Sequence, residues 1–217
     1  SDKAYDNKEL ERGYKENDSL GGYDPYSSSK GCADLLANSY RNSFFNPADY
    51  KKLHNTLLAS CRAGNVIGGG DWAKDRLISD IIVAASQGKK VTIRNPQATR
   101  PWQHVLEPLS GYLQIGQKLL QEKVEYGEAW NFGPSDDGSI TVEDVVKNVK
   151  NHWDNFEYEL HKDANQPHEA RLLKLDCTKA HKLLNWHNVW DSHKNFEKTV
   201  KWYKSFYEKQ KVLTNLD

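Results

Sequence analysis

The 217 residues hold 37% hydrophobic and 28% charged side chains, the balance of a globular protein with one sizeable core or a core plus part of another, and not of a disordered chain. Lys+Arg and Asp+Glu each total 30, so no net field favours nucleic acid or an anionic membrane, and any anion site must be built locally. The longest apolar runs, such as Ile81–Ser86, are far too short to span a bilayer.

The stretch to about Gly22 is polar and turn-rich and reads as an active-site loop. Tyr26 to Phe45 has the pattern of a helix, with Ser27, Ser28, Ser29, Gly31 and Ala33 early, Leu35, Leu36 and Tyr40 later, and Pro47 at or beyond its end. So many small residues imply close approach by a cofactor, a strand or another helix. Asn55–Arg62 reads as a buried strand, and Gly64–Asp71 as a glycine-rich loop. Leu77, Ile78, Ile81, Ile82 and Ala85 recur at helical period up to Gly88. Val91–Arg94 is a short strand, Val105 to Leu120 a helix, and Ala129–Phe132 a strand.

Thr141 to Asp144 has capping-box character, opening a helix to about Trp153. Cys177–Leu184 reads as a short helix capped by Asp176, and the last helix sets Phe196, Val200, Tyr203 and Tyr207 on one face. Helices and short strands alternate without repeats or long linkers, an α/β layer pattern with too few strands for a whole doubly wound sheet.

The three cysteines, Cys32, Cys61 and Cys177, show no paired spacing, which argues against a disulfide framework and for a reducing cytoplasm. The eight histidines form no metal motif; His104 and Glu107 have a di-iron spacing without companion carboxylates, and no metal is expected. The sharpest local signal is Tyr26-Ser-Ser-Ser-Lys30, which stacks a phenol and an ammonium on one helix face. A phenol titrates near pH ~10 and an adjacent cation favours its phenolate, so the pair suits proton removal from a hydroxyl. Ser1-Asp2-Lys3 puts a hydroxyl, a carboxylate and an amine in succession one loop earlier. Gly68-Gly69-Gly70 fits neither a dinucleotide fingerprint nor a Walker loop and implies close backbone approach to a ligand.

The ordered segments SDK, GGYDPYSSSKG, SFFNPA, RAGNVIGGGDWAKDRLI, RNP, RPWQHVLEPLSGYL, NFGP, HEA and LDCTKA resemble the CDP-glucose 4,6-dehydratase family of the extended short-chain dehydrogenase/reductase superfamily, along essentially the whole chain. The resemblance implies an NAD-binding Rossmann domain, incomplete here, plus a smaller mixed α/β lobe for the sugar nucleotide. It places residues 1–65, with the helix and strand of 101–132, in the first and the rest of 66–217 mainly in the second. The strand–glycine loop–helix that cradles NAD in the family would lie in an N-terminal half outside these residues. The chain alone is therefore expected to bind NAD poorly and to turn over little.

In this family NAD takes hydride from sugar C4, water leaves across C5 and C6, and hydride returns to C6. The resemblance makes Tyr26 the base at the C4 hydroxyl, with Lys30 tuning it and holding the nicotinamide ribose. Ser1 would share the hydrogen bond to the C4 oxygen and Asp2 would protonate the departing C6 hydroxyl. Lys3 would take the C5 proton, where thymidine-type relatives carry glutamate; an amine does this only once deprotonated, which burial or a nearby cation favours. Arg100 would bind the pyrophosphate, with Asn65 and Asn131 on phosphate or sugar and Arg76 as a further cation. His168 and Glu169 would line the same pocket.

The implied substrate is CDP-glucose, the implied assembly a homodimer or homotetramer through the tyrosine helix, and the implied product a precursor of deoxysugars. Two other readings stay open: an epimerase, decarboxylase or reductase acting on a nucleotide sugar, and a fragment that binds a nucleotide sugar without turnover.

Overall fold

The computed structural model describes residues 1–93, 95–134, 139–160 and 172–214, with side chains except at 139 and 211–214. The helices are α1 (Pro25–Ser43), α2 (Leu77–Gln87), α3 (Leu106–Leu120), α4 (Val142–His152), α5 (Thr178–Leu184) and α6 (Ser192–Thr214). The strands are β1 (Ser60–Ala63), β2 (Asn65–Ile67), β3 (Lys90–Ile93), β4 (Thr99–His104), β5 (Ala129–Phe132), β6 (Ser139–Thr141) and β7 (Glu157–Leu160). The chain divides into two compact units, and each winds through several separate segments.

The first unit comprises Ser1–Gly64, Leu106–Gly133 and Leu172–Val189. Its centre is β1 paired in parallel with β5, Ser60 opposite Ala129 through Ala63 opposite Phe132. Trp130 and Phe132 are fully buried and join Tyr5, Tyr14, Ile115, Leu175, Ala180 and Trp186 in one apolar cluster. Helix α3 lies close to β5 because Gly111 carries no side chain: a Cβ there would stand 2.2 Å from the Phe132 ring.

The second unit comprises Asn65–Val105, Pro134–Arg171 and Trp190–Asp217. Strand β4 runs parallel to β2 and antiparallel to β6, while β3 pairs in parallel with β7. Ile81 and Ile82 of α2, Val145, Val146 and Val149 of α4, and Phe196, Val200 and Tyr203 of α6 form its core. The 3.6-residue apolar spacing on all three helices is what turns those side chains inward. Residues 101–105 fall in this second unit and 172–189 in the first.

Several local expectations shift. The strand expected from Asn55 begins at Ser60, where pairing with β5 starts, and residues 55–59 precede it without regular structure. Within the expected glycine-rich loop, Asn65–Ile67 form β2. Strand β4 contains Pro101, tolerated where the ladder changes hands, with residues 99–101 bonded to β6 and 102–104 to β2. Strands β6 and β7 span three and four residues, too short for periodicity to reveal. Gly88 closes α2 at φ 61°, Thr141 caps α4 by accepting the Asp144 N–H at 3.1 Å, and the Asp176 carboxylate accepts the Thr178 N–H at 2.8 Å at the start of α5. Among the described residues, no helix is long and apolar enough to cross a membrane.

Candidate active site

Helix α1 begins on Asp24, whose carboxylate accepts the N–H groups of Tyr26 and Ser27 at 2.9 and 3.0 Å, with Pro25 pre-setting the first turn. That cap fixes where Tyr26 stands. The Asp24 carboxyl is held below the usual carboxylate range, chiefly by the Ser27 hydroxyl, with backbone N–H groups and the Lys3 cation adding to it. One turn on, the Lys30 ammonium stands 5.2 Å from the Tyr26 ring centroid. The Tyr26 ring is 60% exposed, so the pair presents an open face to a ligand.

Ser1, Asp2 and Lys3 form a tight 3-10 turn over Asp2–Ala4. The Ser1 hydroxyl accepts the Lys3 N–H at 3.3 Å, a local role at the head of the turn. Asp2 is buried and Lys3 partly so. The turn and α1 belong to the same unit and pack closely: a Cβ on Gly31 would lie 3.0 Å from the Gly21 carbonyl and 3.3 Å from that of Ala4. The small residues of the tyrosine helix thus admit the backbone that carries Asp2 and Lys3. The structure brings Ser1, Asp2, Lys3, Tyr26 and Lys30 into one unit, on two adjoining segments.

Asn131 departs from the expected ligand role. It is fully buried in β5, its amide donates to the carbonyls of Tyr14 at 2.8 Å and Asp176 at 3.2 Å, and its oxygen accepts the Tyr5 hydroxyl at 2.7 Å. Its hydrogen-bonding capacity goes to the protein's own loops. Beside it lies a group that motif reading passed over. Arg62 of β1 grips both carboxylate oxygens of Asp34 on α1, at 2.6 and 3.0 Å, and reaches the Tyr5 hydroxyl at 2.8 Å and the Glu16 carbonyl at 3.0 Å. Burial works against the guanidinium charge, yet Asp34 and Tyr5 outweigh it and raise the Arg62 pKa. Burial pushes the Tyr5 phenol up to about 12 despite Arg62. The sequence did hold a signal: Asp34 follows Lys30 by four residues, on the same helix face.

The other candidates lie in the second unit. Asn65 opens β2, opposite Trp102. Arg100 is nearly buried in β4, beside Ile140, and donates to the Thr99 carbonyl at 2.8 Å. Arg76, at the head of α2, is exposed and ion-paired with Asp71 at 2.8 Å. His168 and Glu169 lie outside the described residues. The glycine triplet answers to the protein itself: a Cβ on Gly69 would stand 2.0 Å from the Trp202 indole, and Gly70 has φ 89°. The Tyr203 hydroxyl holds this loop at both ends of one residue, accepting the Asp71 N–H at 2.8 Å and donating to its carbonyl at 2.7 Å. Among the described residues no group of three His, Cys, Asp or Glu side chains could hold a metal ion.

The family described as GDP-mannose 4,6 dehydratase matches residues 1–200. A CDP-glucose 4,6-dehydratase of Salmonella typhimurium is 53% identical over 213 residues, covering 98% of this chain and 59% of the relative, so the chain spans well under two thirds of that protein's length. A dTDP-glucose 4,6-dehydratase of Bacillus anthracis, solved in complex with NAD, superposes with a TM-score of 0.73 at 22% identity, over 96% of this chain and 61% of the other. Pal from Bacillus thuringiensis gives a TM-score of 0.76 at 18% identity, over 95% and 61%. At such identities the solved structures establish the fold alone, part of a Rossmann-like α/β arrangement with parallel strand pairing.

Proposed function

The chain belongs to the GDP-mannose 4,6-dehydratase family, and from that premise we propose that the protein containing it converts CDP-glucose into CDP-4-keto-6-deoxyglucose. The observation that carries this reading is the joint presence, in one unit, of the Tyr26/Lys30 pair and the Ser1–Lys3 turn. Oxidation and re-reduction at one carbon need only the first. Loss of water across C5 and C6 needs an acid and a base as well, and Asp2 and Lys3 supply those groups. The choice of cytidine rests on the 53% identity to the Salmonella enzyme.

NAD fits the residues present at its nicotinamide-ribose end, where the exposed Tyr26 ring and the Lys30 ammonium share one face of α1; when bound, it supplies the reversible two-electron couple. Tyr26 takes the proton of the sugar C4 hydroxyl, and Lys30 supports the phenolate electrostatically and hydrogen-bonds the ribose. Ser1 orients the C4 oxygen. Once C4 is a ketone the C5 proton is acidified, Lys3 removes it, and Asp2 gives its proton to the departing C6 hydroxyl. Arg100 and Asn65 are the groups we assign to pyrophosphate and sugar, with Arg76 free to exchange its exposed Asp71 partner for phosphate. His168 and Glu169 complete the proposed ligand set.

We assign the protein to the cytoplasm, in keeping with the three free cysteines of this chain. Self-association through α1 is supported by exposed Leu35, Leu36, Tyr40 and Phe44 on that helix and just beyond it. The test uses the protein in which this chain is joined to a cofactor-binding half, supplied with NAD and CDP-glucose. A product lighter than substrate by one water supports the reading. A product of unchanged mass, epimeric at C4, would replace it with an epimerase, and no turnover with retained nucleotide-sugar binding would leave only a binding module.

A further inference from the structure

We propose that Asp34, Arg62 and Tyr5 form a positioning device that holds the Ser1–Lys3 turn in register with the Tyr26/Lys30 face of α1. Its catalytic consequence rests on the dehydratase reading; its geometry does not. Asp34 follows Lys30 by one helical turn and Tyr26 by two, and stands where α1 turns from its open face toward the buried stripe of Ser27 and Gly31. Tyr5 directly follows the Asp2–Ala4 turn, and its N–H closes that turn on the Asp2 carbonyl at 3.2 Å. Each acid/base segment therefore carries one short arm, and both arms end on the same guanidinium. Arg62 Nε and Nη2 take the two Asp34 oxygens while Nη1 takes the Tyr5 hydroxyl.

The far end of Tyr5 is fixed as well. Its hydroxyl donates to Asn131, which β5 and the Tyr14 and Asp176 carbonyls hold in place. The network is buried: Arg62 is 3% and Tyr5 1% exposed, and the Asp34 side chain is 9% exposed, so a lost partner leaves a polar group costly to satisfy. Only a planar fork spans two carboxylate oxygens and a phenol at once, so lysine at 62 keeps the charge and loses the geometry. Gly31 completes the fit by letting α1 settle against the Ala4 carbonyl. None of these groups is among those proposed above to bind the nucleotide sugar. What they set is the placement of the C5/C6 acid and base relative to the C4 base, and a misplacement of about 1 Å in such a constellation costs roughly 10²-fold in rate.

The experiment takes the complete protein with Arg62→Lys, Asp34→Asn, Asp34→Glu and Tyr5→Phe, and measures steady-state kinetics and amide hydrogen exchange on each. For Arg62→Lys and Asp34→Asn, kcat should fall by about 10²-fold with KM for CDP-glucose little changed. Asp34→Glu, which keeps the carboxylate, should recover part of the loss. Tyr5→Phe removes a single hydroxyl from a ring that stays packed, so it decides the matter if a charge variant fails to fold; its kcat should fall by about tenfold. In every folded variant the amides of residues 2–5 should exchange faster, with the second unit unchanged. Folded Tyr5→Phe and Arg62→Lys proteins with wild-type kcat would overturn the proposal, as would unchanged protection of residues 2–5. If the wild-type protein makes no dehydrated product, the functional reading falls, and the exchange measurement alone judges the positioning.

Discussion

The Lys30 ammonium lies 5.2 Å from the centre of the Tyr26 ring, one helical turn away on the open face of α1. Neither side chain has a large structural duty there: Tyr26 is mostly exposed, and α1 is anchored instead by its Asp24 cap and by Asp34. Tyr26→Phe should therefore leave the fold and the melting temperature essentially unchanged. Turnover of CDP-glucose should fall by roughly 10²-fold or more, since the base proposed for the C4 hydroxyl is lost. Paired thermal melts and steady-state rates on the complete protein check this, and a near-normal rate would remove Tyr26 from its role.

Tyr203 ties the loop before α2 to α6 through both backbone groups of Asp71. Tyr203→Phe keeps the buried ring and deletes only that latch. Urea unfolding should show a loss of about 1 kcal/mol, the usual net worth of such hydrogen bonds. Because Arg76, a proposed phosphate ligand, sits on the same loop, KM for the nucleotide sugar should rise more than kcat falls.

Gly111 meets the Phe132 ring so closely that no Cβ fits without a shift. Gly111→Ala would normally favour a helix interior. Here overpacking should outweigh propensity and destabilise the protein by about 1–3 kcal/mol, read from denaturant midpoints.

His152, at the end of α4, has its pKa lowered from 6.5, first by burial and then by His193, against the opposing pull of Glu197. The two imidazole rings are 5.2 Å apart. A lowered folded-state pKa means the neutral form is preferred on folding. The stability it contributes is thus present above pH 6.5 and is lost as pH falls through the folded-state value. Melting temperature measured from neutral pH downward should show this decline, and His152→Gln should flatten that part of the curve.

How much of this was legible in the sequence depends on the range of the cause. Helices α1, α2, α3 and α4 were readable because caps such as Thr141 and Gly88 and the apolar spacing of Leu77, Ile78, Ile81 and Ile82 act over a few residues. Strands β4, β6 and β7 were not, since their pairing partners lie tens of residues away. The Tyr26/Lys30 pair is a local spacing and could be seen directly. Arg62, Tyr5 and Asn131 meet only after folding, so a buried network looked like a ligand-binding asparagine and an unassigned arginine. The Gly68–Gly70 loop misled for the same reason: the side chain that demands Gly69 is Trp202, far along the chain.

The central claim is that one site performs oxidation at C4 and elimination across C5 and C6 on a single sugar nucleotide. The most direct measurement is the mass and deuterium content of the product formed from CDP-glucose and NAD in deuterated water. Elimination removes the C5 proton and re-reduction at C6 leaves C5 to be reprotonated from solvent, so the account predicts a product lighter by one water that carries a solvent deuteron at C5. A product of unchanged water content without solvent deuterium would contradict it.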